Sequence, residues 1–196
     1  MNDITKTMKN THAGFTLIEL MVTLTIAAIL LSVAVPSFQT MIANNRITSQ
    51  LNQLVTAVNY GRSEAAKSNT TVILCGSANP TVAIPACGGT ATGWLLFTSG
   101  DANNTYDVAT DTLIRVGTFI HSSIQVSANA ALADGLVINA NGSTNEGGVT
   151  AIAAVCDDRD NDGTFDVAFG RELRVAPSGH IQAVSSPIAT CGPFGP

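Results

Sequence analysis

The sequence predicts an α+β fold in which one long N-terminal helix packs on an antiparallel β-sheet head. Two observations support this prediction. An almost uninterrupted apolar run over residues 15–35 leads into a segment with helical periodicity, and the remaining chain consists of short apolar or alternating runs bounded by Gly, Asn, Asp and Pro clusters. Because no helical pattern separates those runs, we expect antiparallel rather than parallel strand pairing.

The apolar run is long enough to cross a membrane, because a helix rises about 1.5 Å per residue and the hydrocarbon core of a bilayer is about 30 Å thick. Glu19 is its only ionisable side chain. A carboxylate in hydrocarbon costs roughly 2.5 kcal/mol or more unless a partner offsets the penalty. No basic residue lies within the run. A compensating cation must therefore come from another chain, or from cleavage after Gly14, which would create a charged amine on Phe15.

The string Gly14-Phe15-Thr16-Leu17-Ile18-Glu19-Leu20 follows a short leader with two lysines and one histidine, and it precedes an apolar run that ends at Pro36. This pattern resembles the class III signal of type IV pilins and type II secretion pseudopilins. The resemblance implies that a prepilin peptidase cuts between Gly14 and Phe15, that the Phe15 amine is methylated, and that Glu19 orders subunit docking. It also implies a helix-loosening role for Pro36, which lacks a backbone donor and clashes with the preceding turn.

An ordinary secretory signal peptide or signal anchor is the alternative for this segment. Such a signal requires small residues at a cleavage site after the apolar core, whereas this core runs into Pro36-Ser37-Phe38-Gln39. By the positive-inside rule, Lys6 and Lys9 of the leader stay in the cytoplasm, and the residues after Val35 are exported. We therefore expect a single-pass protein of the bacterial inner membrane, with its head in the periplasm, that later enters a pilus fibre or tip.

The expected organisation has four parts: a cleaved leader over 1–14, a transmembrane or filament-core helix segment over 15–36, an amphipathic helix over 37–69 and a β-rich periplasmic head over 70–196. In the amphipathic helix, apolar residues recur at helical intervals, namely Ile47, Leu51, Leu54, Val58 and Ala65. Short strands are expected over 71–75, 93–98, 112–116, 119–128 in two pieces, 136–139, 149–156, 167–175 and 180–184. Pro177-Ser178-Gly179 is expected to turn the last two strands into a hairpin.

Four cysteines lie in the exported part of the chain, which enters an oxidising compartment. Cys75, Cys87, Cys156 and Cys191 allow three disulfide connectivities. We favour Cys75 with Cys87, which closes a short Pro/Gly loop after a strand, and Cys156 with Cys191, which ties the tail to a central strand. Free or metal-bound thiols are the alternative, although the spacings match no zinc pattern.

Later stretches also carry a resemblance. Arg62-Ser63-Glu64-Ala65, Gly93-Trp94-Leu95-Leu96-Phe97, Thr112-Leu113-Ile114-Arg115 and the stretch from Arg171 to Ile181 are similar, in order, to elements of the GspH/FimT/FimU group, and closest in character to FimU. The resemblance implies the type IV pilin fold and a minor subunit that primes pilus assembly or forms a tip complex. Its expected partners are other minor pilins, the major pilin, the prepilin peptidase and the inner-membrane assembly platform. An H-type pseudopilin of type II secretion shares all of these features.

A DNA-binding FimT-type pilin for natural transformation is the third alternative. Members of that type that bind DNA carry Gly-Arg-x-Arg in the C-terminal hairpin, where guanidinium groups can bind phosphates. The matching turn here is Gly179-His180-Ile181-Gln182, which lacks both arginines. Arg171 and Arg174 are the remaining candidates. The chain has 9 basic and 14 acidic groups, a formal charge of −5; without the leader's two lysines and one aspartate it has 7 and 13, or −6. Its overall field does not attract nucleic acid.

Calcium is the one cofactor that the sequence suggests. Asp158, Asp160, Asp162 and Asp166 lie at spacings that could surround a hard cation with oxygen ligands. As an EF-hand loop the stretch is incomplete, because the position of the bidentate Glu is Phe169. A solvated turn rich in Asp and Asn is the alternative.

No catalytic motif is present. The sequence contains no Gly-x-Ser-x-Gly, no His-Glu-x-x-His and no Gly-rich phosphate loop with a lysine, and His121 and His180 stand apart from any motif. We therefore expect no enzymatic activity and no small-molecule substrate.

Overall fold

A computed structural model describes residues 14–88, 91–101, 103–119, 121, 123–129, 132, 135–144, 148–160, 162–185, 188 and 191. Residues 1–13 of the expected leader lie outside this set. The described elements are one helix, α1 (Leu17–Ser68), and the strands β1 (Val72–Ser77), β2 (Gly93–Thr98), β3 (Thr112–Thr118), β4 (Ile124–Ala128), β5 (Leu136–Ile138), β6 (Ala151–Asp157), β7 (Asp166–Val175) and β8 (Ile181–Ser185). The chain forms two compact units, one up to Thr40 and one from Met41 onward.

The first unit contains the N-terminal part of α1. Among the described helical residues, α1 is long and apolar enough to cross a membrane, judged by length and composition, and its most apolar stretch has no buried residue. Pro36 lies inside the helix, which continues through it. Because proline has no N–H, the carbonyl of Ser32 loses its helical donor at this point.

The second unit contains two antiparallel four-stranded sheets. Sheet A has the order β3-β2-β1-β5 and sheet B the order β4-β6-β7-β8. The β-sheet head expected from the sequence is therefore split into two sheets. The chain changes sheets between β3 and β4, and β5 returns to sheet A by pairing with β1, with Val72 opposite Ile138 and Leu74 opposite Leu136.

The core of the second unit lies between α1 and both sheets. The apolar stripe of the helix is buried, and residues such as Ile47 and Val58 share one cluster with Leu96 of sheet A and Val155 of sheet B. Gly61 lets the helix approach sheet A closely, since a Cβ at this position would lie 2.8 Å from Cδ1 of Ile138. Close packing of α1 against sheet A therefore explains the glycine at position 61.

Each sheet also has a smaller buried cluster on its outer face. On sheet A, Ile73, Cys75, Leu95 and Phe97 are buried, and Tyr106 from a following loop packs against them. On sheet B, the cluster consists of Ala154, Cys156 and Ile188, with Phe165 and Cys191 packed against it. Each outer cluster therefore contains two cysteines, Cys75 and Cys87 on sheet A and Cys156 and Cys191 on sheet B.

The helix ends one residue before the expected boundary. Asn69 has a positive φ of 51°, and the N–H of Thr70 donates to the carbonyl of Ala65 at 3.3 Å. This is the Schellman arrangement, in which a left-handed residue ends the helix and satisfies one of its last carbonyls.

The C-terminal hairpin forms as expected from the sequence. β7 pairs with β8, with Val175 opposite Ile181 and Arg171 opposite Ser185. In the turn, the N–H of Gly179 donates to the carbonyl of Ala176 at 2.7 Å, and Gly179 has a φ of 78° that favours glycine. Of the two strand pieces expected between Phe119 and Ala128, the second is β4, whereas the N–H of Phe119 donates to the carbonyl of Thr92 beside sheet A. Residues 120 and 122 lie outside the described set.

Candidate functional site

The segment around the expected cleavage point is accessible. Gly14, Phe15 and Thr16 precede the helix, and Phe15 is 84% exposed. No atom lies within 4 Å of a Cβ placed on Gly14. The Gly14–Phe15 peptide bond therefore lies outside regular secondary structure.

Thr16 caps the helix, a role that our sequence reasoning missed. Its hydroxyl oxygen accepts a hydrogen bond from the N–H of Glu19 at 3.3 Å, and its carbonyl accepts one from the N–H of Leu20 at 3.2 Å. Thr16 and Glu19 have the Thr-x-x-Glu spacing of a capping box, which could have been found in the sequence. A carboxylate in the first turn also complements the positive end of the helix dipole.

Glu19 has no counter-ion within the part of the chain that the structure describes. Among the described residues, no lysine or arginine nitrogen lies within ion-pair distance of its exposed carboxylate. No cation that could offset the cost of this carboxylate in an apolar environment lies among the described residues.

The N-terminal part of α1 presents a continuous apolar surface. Its large side chains are half exposed or more all round the helix, including Leu17, Leu24, Ile29 and Val33. Such a surface in water exceeds what single soluble chains expose. A surface of this kind is typical of segments that contact lipid or other protein chains.

Two disulfides close the outer clusters of the head. Cys75 bonds to Cys87, with the two Cα atoms 5.6 Å apart, and Cys156 bonds to Cys191, with the Cα atoms 6.0 Å apart. These are the two pairings that the sequence favoured. Both Cα separations lie within the usual range for disulfides.

The structure brings three of the four candidate calcium ligands together. Carboxylate oxygens of Asp158, Asp160 and Asp162 lie within 4.8 Å of one another, whereas Asp166 begins β7 and lies outside this group. Hydrogen bonds from the hydroxyl and then the N–H of Thr164 lower the pKa of Asp162. These oxygens are of the type that calcium prefers, but calcium takes six to eight of them. Three carboxylates are a partial set, completed only by backbone carbonyls or water.

Arg159 anchors this acidic loop, a second role that the sequence did not reveal. Its guanidinium group lies 3.7 Å from the ring centroid of Phe169, donates to the side chain of Asn44 at 3.2 Å, and lies 3.4 Å from the buried carboxylate of Asp157. The position where an EF-hand has its bidentate glutamate is therefore covered by a cation. The contacts explain the loop's position without a metal.

The two candidate DNA-binding arginines do not converge. Arg171 and Arg174 are three residues apart on β7, so their side chains leave opposite faces of the sheet. Arg174 donates to the carboxylate of buried Glu172 at 2.7 Å and 2.9 Å. One of the two charges is thus neutralised locally, and the pair cannot bind one phosphate together.

Comparison with known proteins gives a family and a fold. A family model described as "Type II transport protein GspH" matches residues 50–179, and a model of the prokaryotic N-terminal methylation motif matches residues 9–35. No curated protein matches the chain significantly. Among solved structures, the type IV minor pilin FimU of Pseudomonas aeruginosa aligns with 18% identity and a TM-score of 0.51 over 73% of this chain and 90% of that one. The minor pseudopilin EpsH of the Vibrio cholerae type 2 secretion system aligns with 7% identity and a TM-score of 0.47, over 71% and 97%.

Proposed function

Since this chain belongs to the GspH family of minor pilins and pseudopilins, we propose that it is a minor pilin that helps to prime assembly of a type IV pilus or to form its tip complex with other minor pilins. The observation that carries the proposal is the presence, on one chain, of an N-terminal methylation motif and a GspH domain. The fold shared with FimU supports it further. The members of this family are structural subunits, and we propose no enzymatic role.

The N-terminal segment supplies the mechanism. A prepilin peptidase cuts between Gly14 and Phe15, the new amine is methylated, and residues 15–36 anchor the subunit in the inner membrane. On assembly the same apolar surface moves from lipid into a filament core, so the transfer costs little hydrophobic free energy. Glu19 then gains a cationic partner, the Phe15 amine of a neighbouring subunit, which removes the cost of an unpaired carboxylate.

The head supplies contacts to other subunits. We place residues 70–196, together with the amphipathic helix over 37–69, in the periplasm. The two disulfides support this location, because such bonds persist in an oxidising compartment. The assembly platform of the inner membrane, the major pilin and other minor pilins are the proposed partners.

Cross-linked co-purification tests this function. The tagged full-length chain is expressed at its normal level in a host that has both a type IV pilus and a type II secretion system. Capture of other minor pilins supports the proposal. Capture of neither pilins nor pseudopilins from assembling cells would overturn it.

An H-type pseudopilin of type II secretion is the second candidate, and the description of the family model favours it. The physical roles of Phe15 and Glu19 are the same in both machines. The same experiment separates the candidates, because capture of secretion pseudopilins without pilins would assign the chain to the secretion system.

Calcium and DNA remain subordinate proposals. If the acidic loop binds calcium, isothermal titration of the full-length chain in detergent will show saturable heat that Asp160→Asn removes. If Arg171 and Arg174 bind DNA, affinity will fall steeply with salt. The opposite faces of the two arginines lead us to expect no specific DNA binding.

A further inference from the structure

A groove runs along the open edge of sheet A. It has a volume of about 810 Å³ and lies between the polar side of α1, from Asn45 to Ala57, and the second half of β3. The thirteen helical residues from Asn45 to Ala57 cover about 18 Å, the length of about five to six residues of an extended chain. The groove therefore has the dimensions of a short extended segment.

The strand side of the groove has free backbone hydrogen-bonding groups. β3 is the edge strand of sheet A and pairs only with β2. The N–H of Phe119 donates to the carbonyl of Thr92, the residue before β2, at 2.8 Å. Successive residues of an antiparallel strand direct their N–H and carbonyl groups alternately to the two sides of the strand. Those of Val116 and Thr118 therefore point away from β2, towards the open edge. An irregularity in the β2–β3 register at Leu96/Phe97 limits the regular part of this edge to residues 115–118.

The helix side of the groove is polar. Its lining includes the side-chain amides of Asn45, Asn52 and Gln53, which can both donate and accept hydrogen bonds. Trp94 closes the groove beneath β3: it is 95% buried, its indole lies against Gly117, and its N–H has no acceptor among the described residues. Donors and acceptors thus line both walls along the whole length.

Arg115 gives the groove its charge. Its guanidinium lies 5.8 Å from the ring centroid of Tyr60, and no described carboxylate lies within ion-pair distance of it. An occupant with a carboxylate at this point would complement the groove. The described edge strands of a second copy, β3, β4, β5 and β8, contain no Asp or Glu, so edge-to-edge pairing through these strands would not place a carboxylate of their own against Arg115.

We propose that this groove binds an extended segment of a different polypeptide, which adds a strand to the Arg115–Thr118 edge of β3 and places an Asp or Glu against Arg115. Backbone pairing provides affinity and the charge provides selectivity, as in other strand-addition complexes. The proposal concerns the head alone and does not depend on the role of the chain in a pilus.

The test uses synthetic peptides of about seven alternating Thr and Val residues with Glu, Gln or Lys at the centre. Trp94 is the only tryptophan of the chain, so its fluorescence in the full-length protein in detergent reports binding in the groove directly. We expect saturable binding of the Glu peptide, weaker by about fivefold for the Gln peptide. The Lys peptide should bind weakest.

Three variants and one control separate the contribution of charge from that of backbone pairing. Arg115→Gln should remove the preference for Glu, and Arg115→Glu should reverse it in favour of Lys, whereas Arg171→Gln on sheet B should bind like the parent. Val116→Pro blocks the open edge while leaving the bonds to β2 in place, and should weaken all peptides by about tenfold or more. Circular dichroism checks that each variant is folded.

Several results would overturn the proposal. Equal affinity for the three peptides, binding unaffected by Val116→Pro, or no binding of the Glu peptide at millimolar concentration would each do so. Self-association of the chain that Val116→Pro abolishes would assign the groove to a second copy instead.

Discussion

The two halves of α1 share one secondary structure and have opposite relations to their surroundings. In residues 17–40, large apolar side chains are exposed on every side, and one carboxylate, Glu19, stands among them. In residues 41–68, a narrow apolar stripe is buried against two sheets, and polar groups occupy the rest. The first half therefore depends on an environment that the chain does not supply, whereas the second half is completed by the chain itself.

The largest expected difference between the halves comes from a buried charge. Ile47→Asp should destabilise the head by about 5 kcal/mol or more, because it loses apolar burial and places an unpaired carboxylate in the core. Ile26→Asp, its exposed counterpart, should leave head stability unchanged but reduce membrane insertion. Limited proteolysis and membrane fractionation of the full-length variants measure the two effects. Equal protease resistance of the head in both variants would contradict the comparison.

Removal of the disulfides should affect only the head. In the chain-entropy model, loss of Cys75–Cys87, with a separation of 12 residues, costs about 3 kcal/mol, and loss of Cys156–Cys191, with a separation of 35, costs about 4 kcal/mol. Each pair is replaced by serines, and thermal unfolding in detergent is followed by fluorescence of Trp94. Membrane fractionation of both variants should match the parent. A loss of membrane association would show that the N-terminal half depends on head folding.

The two glutamates of α1 provide a matched pair. Glu19→Ala should leave membrane insertion intact and lower incorporation into filaments by about tenfold, since the docking partner of the carboxylate is lost. Glu64, in the second half, forms an exposed pair with Lys67 at 3.4 Å, and Glu64→Ala should change incorporation little. Immunoblotting of sheared filaments against membranes gives the ratio. Normal incorporation of the Glu19 variant would remove the proposed docking role.

The smallest expected effect concerns the two ends of the helix. Asn69→Ala should lower head stability by about 1 kcal/mol, because alanine tolerates the left-handed conformation poorly, and Asn69→Gly should be neutral or stabilising. Thr16→Ala removes the cap at the other end and should leave the unfolding of the head unchanged. Chemical denaturation monitored at Trp94 resolves these differences. A shift caused by Thr16→Ala would mean that the two halves unfold together.

Much of the fold follows from local sequence patterns, and the rest depends on long-range pairing. The periodicity of Ile47, Leu51 and Leu54 predicts the buried stripe, and Pro177-Ser178-Gly179 predicts the hairpin, because each signal lies within a few residues. The split into two sheets was not predictable, since nothing in β1 or β5 specifies that they pair across more than 60 residues.

The same difference between local sequence signals and long-range contacts applies to the candidate sites. The Thr16 cap has a sequence signature that we did not use, whereas the stacking of Arg159 on Phe169 and the opposite faces of Arg171 and Arg174 require the three-dimensional register. The groove beside β3 combines residues from a helix and from a strand far apart in the chain. Spacing alone gave no indication of it.

The Cys156–Cys191 bond has a mechanical consequence. β8 is an edge strand near the chain end, so tension applied at the C-terminus would peel it from β7 one hydrogen bond at a time. The disulfide joins the tail to β6, a central strand of the same sheet. A force applied beyond Cys191 is therefore transmitted through the disulfide to β6 and not through β8. The β7–β8 hairpin stays paired under a force that would otherwise separate its strands.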